Sequence, residues 1–118
     1  MGSLKTIKSS KDIKSILKCG IQFKGIFIIA LIQKNNLGYP RFAFVISKKF
    51  SKKAVDRNRV KRIIKEALIK NFTKLKNFSY DIVLIPKKHL LGKKMQALLK
   101  DIKELIKFLR EIDEKSSN

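Results

Sequence analysis

The chain has one cysteine, one histidine, two prolines and no tryptophan in 118 residues. A single thiol, Cys19, excludes an internal disulfide and fits a reducing compartment. Cys19 and His89 cannot furnish the four ligands of a structural zinc site. Acid is scarce as well: 9 Asp and Glu stand against 29 Lys and Arg, for a net charge of +20. The longest unbroken apolar run is Ile26–Ile32, far short of the ~20 residues of a membrane-spanning helix. Lysines punctuate the N-terminal stretch, so no apolar core of a secretory signal is legible. Neither Gly25 nor Gly92 sits in a phosphate-cradling or dinucleotide fingerprint. A catalytic Cys–His pair would have to use Cys19 and His89, and lone members of each type are mostly structural. Most carboxylates lie near the C-terminus beside Lys and Arg, where pairing on a helix surface accounts for them. The residues give no sign of bond-making chemistry.

What remains is charge and patterning. The length predicts one domain over 1–118, with tails 1–6 and 114–118 disordered. A hydrophobic share of 44% supports a packed core. Residues 101–118 hold 5 acids and 4 bases, which leaves residues 1–100 at +21. Self-repulsion at that density destabilises a compact state unless a polyanion neutralises it. Nucleic acid is the first candidate and an anionic membrane surface the second. Of 5 arginines, three fall in Arg57-Asn58-Arg59-Val60-Lys61-Arg62. Arginine offers a planar fork that grips phosphate bidentately, which ammonium cannot. The competing reading is chance clustering on a solvated helix face.

Ser9 or Ser10 can cap a helix running to about Cys19, which Gly20 stops. Ile26–Gln33 reads as a strand, Asn35–Pro40 as a turn, and Arg41–Ser47 as a second strand pairing with the first in a hairpin. On that second strand Phe42, Phe44 and Ile46 point one way, and Ala43, Val45 and Ser47 the other. A basic loop, Lys48–Lys53, leads into a helix from about Ala54 to Phe72. Its apolar stripe is Val60, Ile63, Ile64, Ala67, Leu68 and Phe72. Asn58, Lys61, Arg62 and Lys65 form the opposite side, with Arg57 and Arg59 flanking it. Tyr80–Ile85 is a buried strand closed by Pro86, and a last amphipathic helix spans about Lys93 to Asp113. The order is α-β-β-(β)-α-β-α, an α+β two-layer sandwich with a central, mostly antiparallel sheet. If the strands flanking the Ala54–Phe72 helix pair in parallel, the general rule predicts a right-handed crossover.

Two binding surfaces follow. The face of Asn58, Lys61, Arg62 and Lys65, with Arg57 and Arg59, can meet several phosphates at once, and the Asn58 amide can bond a base edge or a 2′-hydroxyl. The first helix, with Ile13 and Leu17, can wall a groove over the sheet that suits an unpaired strand. Ordinary core packing is the competing reading for that groove.

Ser47-Lys48-Lys49, followed by Ala54-Val55-Asp56-Arg57-Asn58-Arg59-Val60-Lys61-Arg62, resembles the protein subunit of bacterial ribonuclease P. That family carries S-[KR]-[KR] and then A-V-x-R-N-R-x-K-R. Size, element order and charge agree over nearly the whole chain, as does Lys18-Cys19-Gly20 closing the first helix. The resemblance implies an accessory subunit of an endoribonuclease that removes the 5′ leader of precursor tRNA. It implies that a large catalytic RNA does the chemistry with Mg²⁺; no protein-bound cofactor is predicted, no residue is assigned as a metal ligand, and the sequence is silent on metal binding by the protein itself. The partner RNA would dock on Arg57, Asn58, Arg59, Lys61, Arg62 and Lys65. The leader would lie in a cleft formed by Ile13, Leu17, Ile28, Ala30, Ser47, Lys48, Lys49, Lys52 and Lys53. A monomeric protein in a 1:1 ribonucleoprotein, in the cytoplasm and away from membranes, is the implied state. The family's strand–helix–strand crossover is left-handed, against the general rule, and the expectation follows the family. Two positions depart from its pattern. The cleft wall is aliphatic where relatives often carry Phe, and Ala30 replaces a bulky residue.

Three other classes compete with this one. They are a structural RNA-binding protein such as one of the ribosome, a membrane-surface protein anchored by its last helix, and a free-standing nuclease. The last helix mixes acids with bases and the chain lacks Trp, which weighs against the membrane.

Overall fold

A computed structural model describes residues 4–116. The elements run α1 (Ser10–Cys19), β1 (Ile21–Lys24), β2 (Ile28–Lys34), β3 (Arg41–Phe44), α2 (Ala54–Lys70), the single turn α3 (Phe72–Leu75), β4 (Tyr80–Pro86) and α4 (Leu99–Ser116). Two 3₁₀ turns, Lys88–Leu90 and Met95–Leu98, lie between β4 and α4. The result is a mixed α+β fold on one four-stranded sheet of order β1-β2-β4-β3.

The pairing corrects the hairpin expected from Ile26–Gln33 and Arg41–Ser47. β2 pairs antiparallel with β1 and with β4, and β3 pairs parallel with β4. Turn chemistry at Asn35–Pro40 reverses the chain, but it does not make its flanks neighbours. β4 takes the central place because Ile82, Val83 and Leu84 are buried on both faces, whereas a strand flanking a solvated hairpin alternates.

The strands sort their side chains by parity. Ile28, Ala30 and Ile32 of β2, Phe42 and Phe44 of β3, and Ile82 and Leu84 of β4 face one way. They meet Val60, Ile63, Ile64, Ala67 and Leu68 of α2, together with Ile102, Leu105 and Leu109 of α4. On the other face Leu31, Ala43, Val45, Val83 and Ile85 pack against Ile7, Ile13 and Ile16.

Ser9 caps α1 by accepting from the Asp12 amide at 3.3 Å. Gly20 ends α1 with φ −68°, outside the left-handed region, so the reason for glycine is space. A Cβ there would lie 2.6 Å from the Ile16 carbonyl oxygen.

Both tail expectations need correction within the described residues. Thr6 forms a parallel bridge with Phe42, and Ile7 N–H donates to the Phe42 carbonyl at 2.9 Å. This segment covers the free edge of β3. At the other end α4 continues through Ser116. Residues 1–3 and 117–118 lie outside the described residues.

The turn from β1 to β2 is held from the far end of the chain. Asp101, 2% exposed in the first turn of α4, accepts from the amides of Ile26, Phe27 and Ile28 at 2.8, 2.6 and 3.1 Å. A Cβ on Gly25 would sit 2.6 Å from that carboxylate. Lys87 Nζ donates to the Gly25 carbonyl at 2.6 Å, and His89 Nε2 lies 2.6 Å from the Ile26 carbonyl. A carbonyl oxygen only accepts, so that nitrogen is the donor in this contact.

Candidate nucleic-acid interface

α2 is built to present one side. Val60, Ile63, Ile64, Ala67 and Leu68 are buried beneath it, which leaves Asn58, Lys61 and Arg62 exposed and Lys65 half-buried. Lys61 and Lys65 reach over the Phe44 ring, with Nζ 6.0 and 5.8 Å from its centroid. At the edge of the core they still present their charge outward.

The two flanking arginines have a second task. Arg57 Nη1 donates to the Ser51 carbonyl at 2.8 Å, and Arg59 Nη2 donates to the Lys93 carbonyl at 3.0 Å. One guanidinium ties the helix to the basic loop, and the other ties it to the segment before α4. Each retains further N–H donors for a ligand, since guanidinium has five. Asp56 bonds the Ser51 hydroxyl at 2.9 Å, which further fixes the loop. The position opposite the α2 arginines was legible from periodicity. Their bonds to the backbone were not, because the carbonyls come from loops.

The second surface lies on the α1 side of the sheet. Ile13 is half-buried against that face, and Leu17 is 37% exposed at its margin. A pocket of about 240 Å³ is lined by Val45, Ser47, Lys49, Phe50, Ile85, Pro86 and Lys88. Ser47 and Lys49 thus sit where a cleft rim was expected, while Lys48, Lys52 and Lys53 are exposed on the same loop.

Ile28 and Ala30 do not belong to this cleft. Both are 0% exposed in the main core, on the opposite face of the sheet. A strand's side chains alternate, so a shift of one residue exchanges the faces. The β2 residues on the α1 side are Ile29 and Leu31, opposite Ile85 and Val83 of β4. Lys88 and Ile85 also belong to the surface. Ile85 could have been found from the alternation of β4, but Lys88 carries no sequence signal.

A third polar group lies beside α1. Arg41 grips Asp81 bidentately, Nη2 to Oδ2 at 2.6 Å and Nε to Oδ1 at 2.9 Å, and Asn35 adds a bond at 2.8 Å. Burial pushes the Asp81 carboxyl up, but the bonds from Arg41 and Asn35 and the Arg41 charge outweigh it. The carboxyl therefore sits below its ordinary value. The hydrogen bond to Asp81 likewise raises the Arg41 guanidinium.

Among the described residues no group of three or more His, Cys, Asp or Glu side chains is placed to hold a metal ion. The buried carboxylates, Asp81 and Asp101, are committed to Arg41 and to backbone amides. No described helix is long and apolar enough to cross a membrane.

A family model described as Ribonuclease P matches residues 1–110. The chain belongs to the ribonuclease P family. The ribonuclease P protein component of Clostridioides difficile is 35% identical over 103 residues, covering 87% of this chain and 90% of the relative. That of Fusobacterium nucleatum is 36% identical over 85 residues, covering 72% of this chain and 75% of the relative. The solved ribonuclease P protein of Thermotoga maritima superposes with a TM-score of 0.77 at 27% identity, covering 87% of this chain and 96% of that one. The ribonuclease P fold is thus shared by the four-stranded sheet and helices described above. Both motif segments quoted above lie inside the matched region.

Proposed function

We propose that this chain is the RNA-binding subunit of a ribonucleoprotein whose RNA carries out the phosphodiester hydrolysis that matures tRNA 5′ ends. The carrying observation is the exposed Asn58, Lys61, Arg62 and Lys65 side of α2, with Arg57 and Arg59 braced on either flank. A helix fixed at both margins presents its cations with little freedom to lose on binding. The catalytic RNA docks there, and the 5′ leader of precursor tRNA runs along the α1 side of the sheet.

The leader surface is mostly aliphatic. Ile13, Leu17, Leu31, Val45 and Ile85 offer packing, Phe50 is the one aromatic in the pocket lining and is buried, and Lys49 and Lys88 meet the backbone charge. In this reading the Mg²⁺ that the hydrolysis needs is held by the RNA. One protein per RNA, in the cytoplasm, completes the reading.

The test is reconstitution. Precursor tRNA cleavage is measured at limiting Mg²⁺ with a bacterial ribonuclease P RNA transcript, alone and with this protein. Stimulation is expected, and protein alone should cleave nothing. Arg57→Ala and Arg59→Ala should each weaken assembly with that RNA by ~1–3 kcal/mol. Equal binding by wild type and both variants would remove α2 as the dock.

A further inference from the structure

A second basic groove lies between the end of α2, α3 and α4, about 770 Å³ in volume. Lys70 and Lys74 come from one wall and Lys103, Lys107 and Arg110 from the other. Glu104 is the one carboxylate among its lining residues, and Ile106 contributes to its floor.

α4 carries charges of both signs, and three of its cations line the groove against one of its carboxylates, Glu104. Lys103, Lys107 and Arg110 are spaced i, i+4, i+7, so they form one stripe toward the groove. Glu104 and Lys107 border both this groove and a smaller pocket at Phe23 and Phe108, where Glu111 also lies. Like charges four residues apart destabilise a helix slightly, and here a second pair of lysines faces them across the groove. At Arg41 the same fold neutralises a cation with Asp81. The groove wall contributed by α2 and α3 supplies Lys70, Asn71 and Lys74 and no carboxylate. With five cations against the single carboxylate of Glu104, the groove keeps an excess of positive charge complementary to an anion. An elongated anion fits best, because the stripe from Lys103 to Arg110 runs ~10 Å along the helix axis.

We infer that this groove holds a second stretch of RNA backbone, separate from the stretch bound at Arg57–Arg62. Arg59 and Lys70 are 11 residues apart on α2, a separation of ~16 Å. Both contacts can thus be made by one large folded RNA. This inference rests on the reading of the chain as an RNA-binding subunit.

The experiment titrates a bacterial ribonuclease P RNA transcript with three proteins over a series of salt concentrations. They are wild type, the α2 variant Arg57→Gln/Arg62→Gln, and the groove variant Lys103→Gln/Lys107→Gln/Arg110→Gln. A thermal melt establishes that each variant is folded, and the groove side chains are exposed. The groove variant should bind about tenfold more weakly at ~0.1 M salt, and its slope of log K against log salt should fall by about 2. Backbone footprinting should show it losing protection over nucleotides that the α2 variant still covers. Unchanged affinity and slope for the groove variant, with the α2 variant impaired, would overturn the groove alone. Loss of the same footprint in both variants would also overturn it. Failure of wild type to bind the transcript would overturn the RNA-binding reading itself. Loss of binding to anionic phosphatidylglycerol vesicles with RNA binding intact would reassign the groove to a membrane.

Discussion

The two faces of the sheet are made from the same strands and do different work. One face, built on Ile28, Ala30, Ile32, Phe42, Ile82 and Leu84, is sealed by α2 and α4. The other, built on Leu31, Ala43, Val83 and Ile85, is covered among the described residues by α1 and the segment before it. It also carries the Arg41–Asp81 pair. Adjacent residues on β2 thus answer to different constraints. The even positions secure the fold, and the odd positions border a surface on which a ligand can lie.

Ile28→Ala tests this contrast with the largest expected effect. It removes a side chain that is 0% exposed, at a cost of ~2–5 kcal/mol in urea denaturation. Leader affinity of the protein that remains folded should be unchanged. A weakened leader with full stability would return Ile28 to the cleft.

Asp101→Ala tests what seals the core face. It leaves three backbone amides without their acceptor, and should cost about 3 kcal/mol or more. Hydrogen exchange should accelerate first at Ile26, Phe27 and Ile28. Protection unchanged at those amides would show that α4 packing, not the carboxylate, holds the turn.

Ile85→Ala sits on the open face and is half-buried. It should cost ~1–2 kcal/mol and should also weaken binding of an oligonucleotide leader severalfold. A stability loss as large as that of Ile28→Ala would erase the distinction between the faces.

The smallest effect concerns pH. Against the opposing effect of burial, the Arg41 and Asn35 bonds hold the Asp81 carboxyl below the ordinary aspartate value in the folded chain. An unfolded chain therefore takes up that proton more readily, so the group's stabilisation is complete above the unfolded value. It is lost as pH falls through the lower folded value. Asp81→Asn should flatten the stability profile below about pH 4, as followed by thermal melts across that range. An unchanged acid limb would assign the acid sensitivity to other carboxylates.

Much of this was legible in the residues. The stripe of Val60, Ile63, Ile64, Ala67 and Leu68 located both the buried and the exposed side of α2, and the alternation in Phe42–Val45 sorted β3 correctly. The optional extra strand could not be placed on β1, because Ile21-Gln22-Phe23-Lys24 has a single buried residue. The placement of β4 between β2 and β3 depends on contacts over long sequence separations, to which local patterns are blind. The apolar run Ile82–Ile85 was nevertheless a signal of a strand buried on both faces. The start of α4 fell at Leu99 rather than Lys93, since Met95–Leu98 winds as a 3₁₀ turn with the same apolar spacing. At the cleft, Ser47 and Lys49 were placed by the motif, whereas Ile28 and Ala30 were placed one register step away from the residues that line the α1 side.

The Asp101 carboxylate has a consequence for the order of assembly during synthesis. Its three amide partners lie 73–75 residues earlier in the chain. The tip of the first hairpin therefore emerges from the ribosome long before the group that finishes it. β2 likewise waits for β4, its partner on the other side. A nascent chain this basic, with that hairpin incomplete, completes the structure only after the first turn of α4 has been made.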